Sequence, residues 1–144
     1  MQATKLPKNI VRYVEHNLHY YNEYIREIQR LRNDILYGVK ITTDENVGGG
    51  RSNLPSSPTE QRAIELVTHR RLEKLERVTH AIKTVYEALP EEKKKLVRLK
   101  YWTRPQKYTW DGIAEQLHVS RITCLRWRDE IVYAIAELLG ETDA

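Results

Sequence analysis

The chain has 144 residues and a mass of 17.1 kDa, enough for one ordinary domain or two small helical ones. Hydrophobic residues make up 40% and charged residues 31%, so the chain can bury a modest core and is not fully disordered. Six glycines and five prolines are too few for the turns of an all-β fold. The single cysteine, Cys124, excludes an internal disulfide framework and a Cys-rich zinc module, and it suits a reducing compartment. The opening residues MQATKLPKNI lack the apolar core of a signal peptide, and no stretch nears the roughly 18 apolar residues of a membrane span. A soluble cytoplasmic protein is expected.

From Pro7 to Tyr37 the sequence is unbroken and periodic. Val11, Val14, Leu18, Tyr21, Ile25, Ile28 and Ile35 fall at spacings of three and four, with Arg32 in the one missed place. This predicts one helix of about eight turns with a single apolar stripe, stopped at Gly38. Residues 38–57 break the periodicity with Gly48-Gly49-Gly50, several serines and Pro55, and predict a long loop. The three glycines do not read as a phosphate-binding loop, because no strand precedes them and no Gly-Lys-Ser/Thr follows.

Ser57-Pro58-Thr59-Glu60 is a capping box: a hydroxyl cap, proline at the first helical position and Glu60 three residues after the cap. A second long helix follows, its stripe running through Ile64, Val67, Leu75, Val78, Ile82, Val85 and Leu89, with a polar middle at Thr68 and Arg71. Two such helices joined by a loop can each cover the other's stripe. A third helix begins at Pro90-Glu91-Glu92, where acids complement the dipole, and stops near Thr103-Arg104-Pro105. Thr109 caps a fourth helix, and Ser120 caps a fifth that ends at Gly140. The expected fold is all-α: a long N-terminal helical hairpin over residues 1–89, then a three-helix domain over residues 90–144.

Charge is unevenly placed. Lys93 to Arg128 holds ten basic residues against Asp111 and Glu115, a surplus of eight positive charges, and the tail from Asp129 holds five acids and no base. A basic block of this kind fits a polyanion. Within it, Thr109 to Arg128 has the spacing of a DNA-binding helix-turn-helix. Ala114 is the small residue where two helices cross, Ile113 and Leu117 line the first helix, and Val119 plugs the turn. Cys124 and Trp127 face inward from the second helix. His118 stands where glycine is common and must take a left-handed backbone.

The outward positions Arg121, Ile122, Leu125 and Arg126 are the candidates for base readout, the arginines on guanine and the aliphatics on thymine methyls. Arg104, Lys107, Thr109, Ser120, Thr123 and Arg128 are the candidates for phosphate contact. His16 and His19, three apart, lack a third metal ligand nearby, and Cys124 has no local triad. No enzyme activity, metal or cofactor is expected.

Leu89-Pro90-Glu91-Glu92, the basic helix after it and the Thr109–Arg128 segment together resemble region 4 of sigma-70-type factors over residues 89–140. The whole chain also looks like phage late-gene regulators of the RinA/ArpU type. The residues that carry this likeness are the long first helix, Asn46-Val47-Gly48-Gly49, Pro55-Ser56-Ser57 leading into Thr59-Glu60, and Ala136-Glu137-Leu138-Leu139-Gly140-Glu141. Nothing in residues 1–89 resembles the promoter-melting module of a complete sigma factor. The resemblance implies a sequence-specific transcriptional regulator, an activator of phage late genes. It would work in the bacterial host cytoplasm at the nucleoid, with double-stranded DNA, host RNA polymerase and a second copy of itself (a homodimer) as partners. The competing expectations are a small terminase subunit for DNA packaging and a helical structural protein without nucleic acid.

Overall fold

The computed structural model describes residues 5–37 and 57–142; the expected stop at Gly38 and the glycine-containing loop to Ser56 lie outside them. Six helices and no strand occur among the described residues: α1 (Lys8–His19), α2 (Tyr21–Tyr37), α3 (Pro58–Ala88), α4 (Glu91–Tyr101), α5 (Trp110–Leu117) and α6 (Arg121–Leu138). The protein is all-α.

The caps read from the sequence are in place. Ser57 Oγ accepts from the Glu60 N–H at 3.1 Å, Thr109 Oγ1 from Gly112 at 3.0 Å, and Ser120 Oγ from Thr123 at 3.1 Å, each satisfying a donor that the first turn of a helix leaves open. Gly140, at φ +76°, ends α6 in the left-handed region, with Glu141 N–H closing on the Ala136 carbonyl at 2.8 Å.

The single helix expected over Pro7–Tyr37 is instead two. It is interrupted at Tyr20, whose backbone leaves helical geometry at φ −98°, ψ 10°. The cause lies more than eighty residues away. Trp102 Nε1–H donates to the Leu18 carbonyl at 2.8 Å, and the Arg104 guanidinium donates to the His19 carbonyl. These side chains stand where Asn22 and Glu23 N–H would continue the ladder, and a group inserted into the ladder bends a helix.

Close approaches group the chain into two compact units, one of residues 1–22 with 77–144 and one of residues 23–76. The grouping therefore does not follow the 1–89 and 90–144 division. In the first unit α1 packs on α6 and α4, while α4 and α5 pack on one another and on α6. Its core holds Val14, Leu18, Leu96, Val97, Ile113, Cys124, Val132 and Ile135, all at most 1% exposed. Val14 and Leu18 each gain about 1.5–3 kcal/mol from burial. That outweighs any surface ion pair, for which ~0–1 kcal/mol is usual, so apolar contact holds α1 to the C-terminal helices.

In the second unit, the two polar residues that interrupt the stripes turn out to be bridges. Arg32 donates to Glu76 at 2.6 Å, and Arg71 pairs with Glu27 at 3.0 Å. Glu27 and Arg32 bracket the buried Ile28 as Arg71 and Glu76 bracket the buried Leu75. The Arg71 hydrogen bond, more than its charge alone, holds the Glu27 carboxyl below the usual carboxylate range, against the opposing effect of burial.

Trp102→Phe keeps a ring beside Tyr21 and Tyr86, whose centroids lie 5.2 and 4.8 Å from the indole, but removes the donor to Leu18. The expected loss is about 1–2 kcal/mol in urea unfolding; an unchanged midpoint would show that this bond does not hold the bend.

Candidate functional site

The C-terminal end of α5 and the N-terminal end of α6 are joined by three residues, His118, Val119 and Ser120. His118 sits at φ 59°, ψ 41°, the left-handed region expected for this position. Its N–H bonds the Glu115 carbonyl at 3.2 Å and Val119 N–H bonds the Ala114 carbonyl at 3.1 Å, closing α5 on itself. Ile113 and Ala114 are buried on the inner side of α5, and Cys124 is fully buried on α6, while Leu117, Val119 and Trp127 are half-buried. Burial pushes the Cys124 thiol up from its ordinary value, as suits a packing residue and not a nucleophile.

This packing leaves one side of α6 outward. Ile122 is 74% exposed, Arg121 and Arg126 are exposed, and Leu125 is half-buried. Arg121 Nε lies 3.5 Å from Asp111 Oδ1 in the first turn of α5. Sequence reading did not single out Asp111 as a neighbour of Arg121; the signal was there, in an acid and a base each in the first turn of helices that meet. Arg126 forms no ion pair among the described residues.

The candidates for phosphate contact divide into two groups. Thr109 and Ser120 are exposed caps, and Thr123 accepts from the Ser120 hydroxyl at 2.9 Å. Lys107 is exposed with its ammonium 5.7 Å from the Tyr108 ring. Arg104 and Arg128 instead direct guanidinium donors into the protein. Arg104 donates to the His19 and Tyr101 carbonyls. Arg128 donates to Asp129 at 2.7 Å and to Glu15 of α1 at 3.2 Å, and lies over Trp110 at 5.6 Å. Burial opposes its charge, but the Asp129 hydrogen bond and the Glu15 carboxylate win, leaving its pKa above the ordinary arginine value. Neither arginine offers a free fork.

Behind Arg128 the network extends inward. Tyr101 hydroxyl donates to the same Glu15 carboxylate at 2.5 Å. Burial first, and Glu15 second, push this phenol well above its usual value. Lys100 lies 4.9 Å from the Trp110 ring, so the indole meets both Lys100 and Arg128. Among the described residues no group of three His, Cys, Asp or Glu side chains is placed to hold a metal ion, and no helix is long and apolar enough to cross a membrane.

A family model described as "Protein of unknown function (DUF722)" matches residues 8–137. That span runs from the first residue of α1 to the last turn of α6. No curated protein and no solved structure matches the chain.

His118→Val, which puts a β-branched residue in a left-handed position, is expected to lower stability by about 1–2 kcal/mol, while His118→Gly holds or raises it. Thermal melting of the two variants checks this. A valine variant as stable as the parent would contradict the backbone geometry of the turn.

Proposed function

We propose that this chain, which belongs to the DUF722 family, is a sequence-specific double-stranded DNA-binding regulator of transcription. One observation carries the reading. A tight turn with a left-handed His118, and Ser120 as the cap of α6, sets that helix so that Arg121, Ile122 and Arg126 are exposed at its beginning. In a helix-turn-helix the second helix enters the major groove and reads base edges with its N-terminal residues. A guanidinium there can engage both acceptors of a guanine, worth about 1–3 kcal/mol of discrimination, and Ile122 and Leu125 suit thymine methyls. Asp111 holds Arg121 ready, and Lys107, Thr109, Ser120 and Thr123 supply phosphate contacts that set register. In this reading α4, α5 and α6 form the three-helix DNA-binding domain and the N-terminal helices form the hairpin.

The resemblance of residues 89–140 to sigma-70 region 4 supports transcription over packaging. It leads to the finer proposal of a phage late-gene activator, working with host RNA polymerase at the bacterial nucleoid. The test is direct. Arg121→Ala with Arg126→Ala removes preference for a duplex selected by the parent chain but retains salt-dependent, non-specific binding. Unchanged preference in quantitative binding assays would overturn the assignment of the two arginines.

A second copy of the chain is the proposed partner of the other unit. From Glu60 to Lys74, α3 has no buried residue, and Ile64 and Val67 are 52% and 67% exposed. Among the described residues these four turns of helix bury no apolar side chain, which is marginal in water, and a second copy supplies a covering surface. Glu60, Ile64, Val67 and Lys74 follow one face at spacings of four, three and seven. Antiparallel self-packing centred on Val67 buries both aliphatics and sets Glu60 of one copy against Lys74 of the other. Sedimentation equilibrium should give twice the 17.1 kDa chain mass, and Ile64→Lys with Val67→Lys should give one chain mass. A monomeric parent chain would overturn the dimer, and a larger closed ring would favour packaging.

A further inference from the structure

We propose that Lys5, Lys8 and Arg12, at the N-terminal end of the chain, form a second phosphate-binding surface for the duplex that α6 engages; the inference rests on the DNA-binding reading above. Lys8 and Arg12, four apart, lie along one side of α1, and Lys5 stands in the non-helical residues before it. All three line an open cleft of about 550 Å³ whose other wall is α6, at Arg128 and Asp129.

The charges in that cleft are not equivalent. Arg128 is shared between Glu15 and Asp129, at 3.2 and 2.7 Å, so this trio holds no cation to spare. Lys5, Lys8 and Arg12 are exposed and form no ion pair among the described residues. They are the cations of the cleft that remain available to an anion. The expectation that Arg128 contacts phosphate thus passes to residues more than a hundred positions earlier in the chain.

Distance along α6 identifies the anion. Arg128 lies seven residues beyond Arg121, about 10 Å at 1.5 Å per residue. The major groove is about 8.5 Å deep. A helix with its first turn at the base edges has reached the groove rim by Arg128, where the phosphodiester oxygens lie. The side of α1 that borders this stretch of α6 therefore meets backbone and not bases. Its contribution is affinity and salt dependence without sequence preference.

The experiment uses the full chain with Lys5→Ala, Lys8→Ala and Arg12→Ala combined, and a second variant, Lys8→Glu with Arg12→Glu. Binding is measured across a salt series to a duplex selected by the parent chain and to a scrambled duplex, with helicity checked by circular dichroism. The triple variant should weaken both duplexes by the same factor, about 10- to 100-fold at physiological salt. The slope of log affinity against log salt should fall by about two to three, with the ratio between the duplexes unchanged. The charge-reversed pair should move both quantities in the same direction. Parent-like affinity and slope in both variants would overturn this surface while leaving the α6 assignment standing. Failure of the parent chain to bind any duplex would overturn the DNA reading itself. Calorimetric binding of inorganic pyrophosphate that the triple variant loses, with duplex binding intact, would reassign the cleft to a small anion and overturn the proposal.

Discussion

The backbone of the His118 turn is the constraint on which the outward face of α6 depends. Val119 N–H reaches back to the Ala114 carbonyl only because His118 reverses the sign of φ. That reversal ends α5 and allows Ser120 to cap α6 one residue later. Shift the turn by one residue and α6 rotates by about 100°. Cys124 would leave its buried place, and Thr123 or Leu125 would take it. The identity of the exposed side chains, and with it the reading of α6 as a recognition element, follows from a single left-handed residue.

Much of the local architecture was legible in the sequence because its causes are local. Ser57, Thr109 and Ser120 cap helices through hydroxyls that reach N–H groups three residues on, and Gly140 ends α6 with a conformation glycine adopts freely. Ala114 and Cys124 are inward, as their spacing in the α5–α6 segment required. The caps and the Gly140 stop rest on contacts within about five residues, the range over which a pattern of residue types constrains a backbone.

What was not legible depends on partners distant in the chain. The bend at Tyr20 arises from donors on Trp102 and Arg104, and no periodicity in residues 7–37 records their presence. Arg32 and Arg71 read as faults in two apolar stripes, yet each meets a carboxylate 44 residues away. Arg104 and Arg128 stand in a basic block and so look like surface cations, but carbonyls and Glu15 draw their donors inward. A charge count records how many cations a segment holds. Which of them are engaged internally is decided by tertiary packing.

The first unit is assembled from two stretches, residues 1–22 and 77–144, with 23–76 making an excursion between them. Its topology is that of a body interrupted by an insert. During synthesis α1 therefore emerges long before the α4 and α6 surfaces that bury Val14 and Leu18, and it must wait with its apolar side uncovered. Once formed, the body is little affected by how long the excursion is, since each doubling of a closing loop adds only about 0.6 kcal/mol of entropy loss. Lengthening or shortening the arm is thus a change that evolution can make without redesigning the body that carries α6.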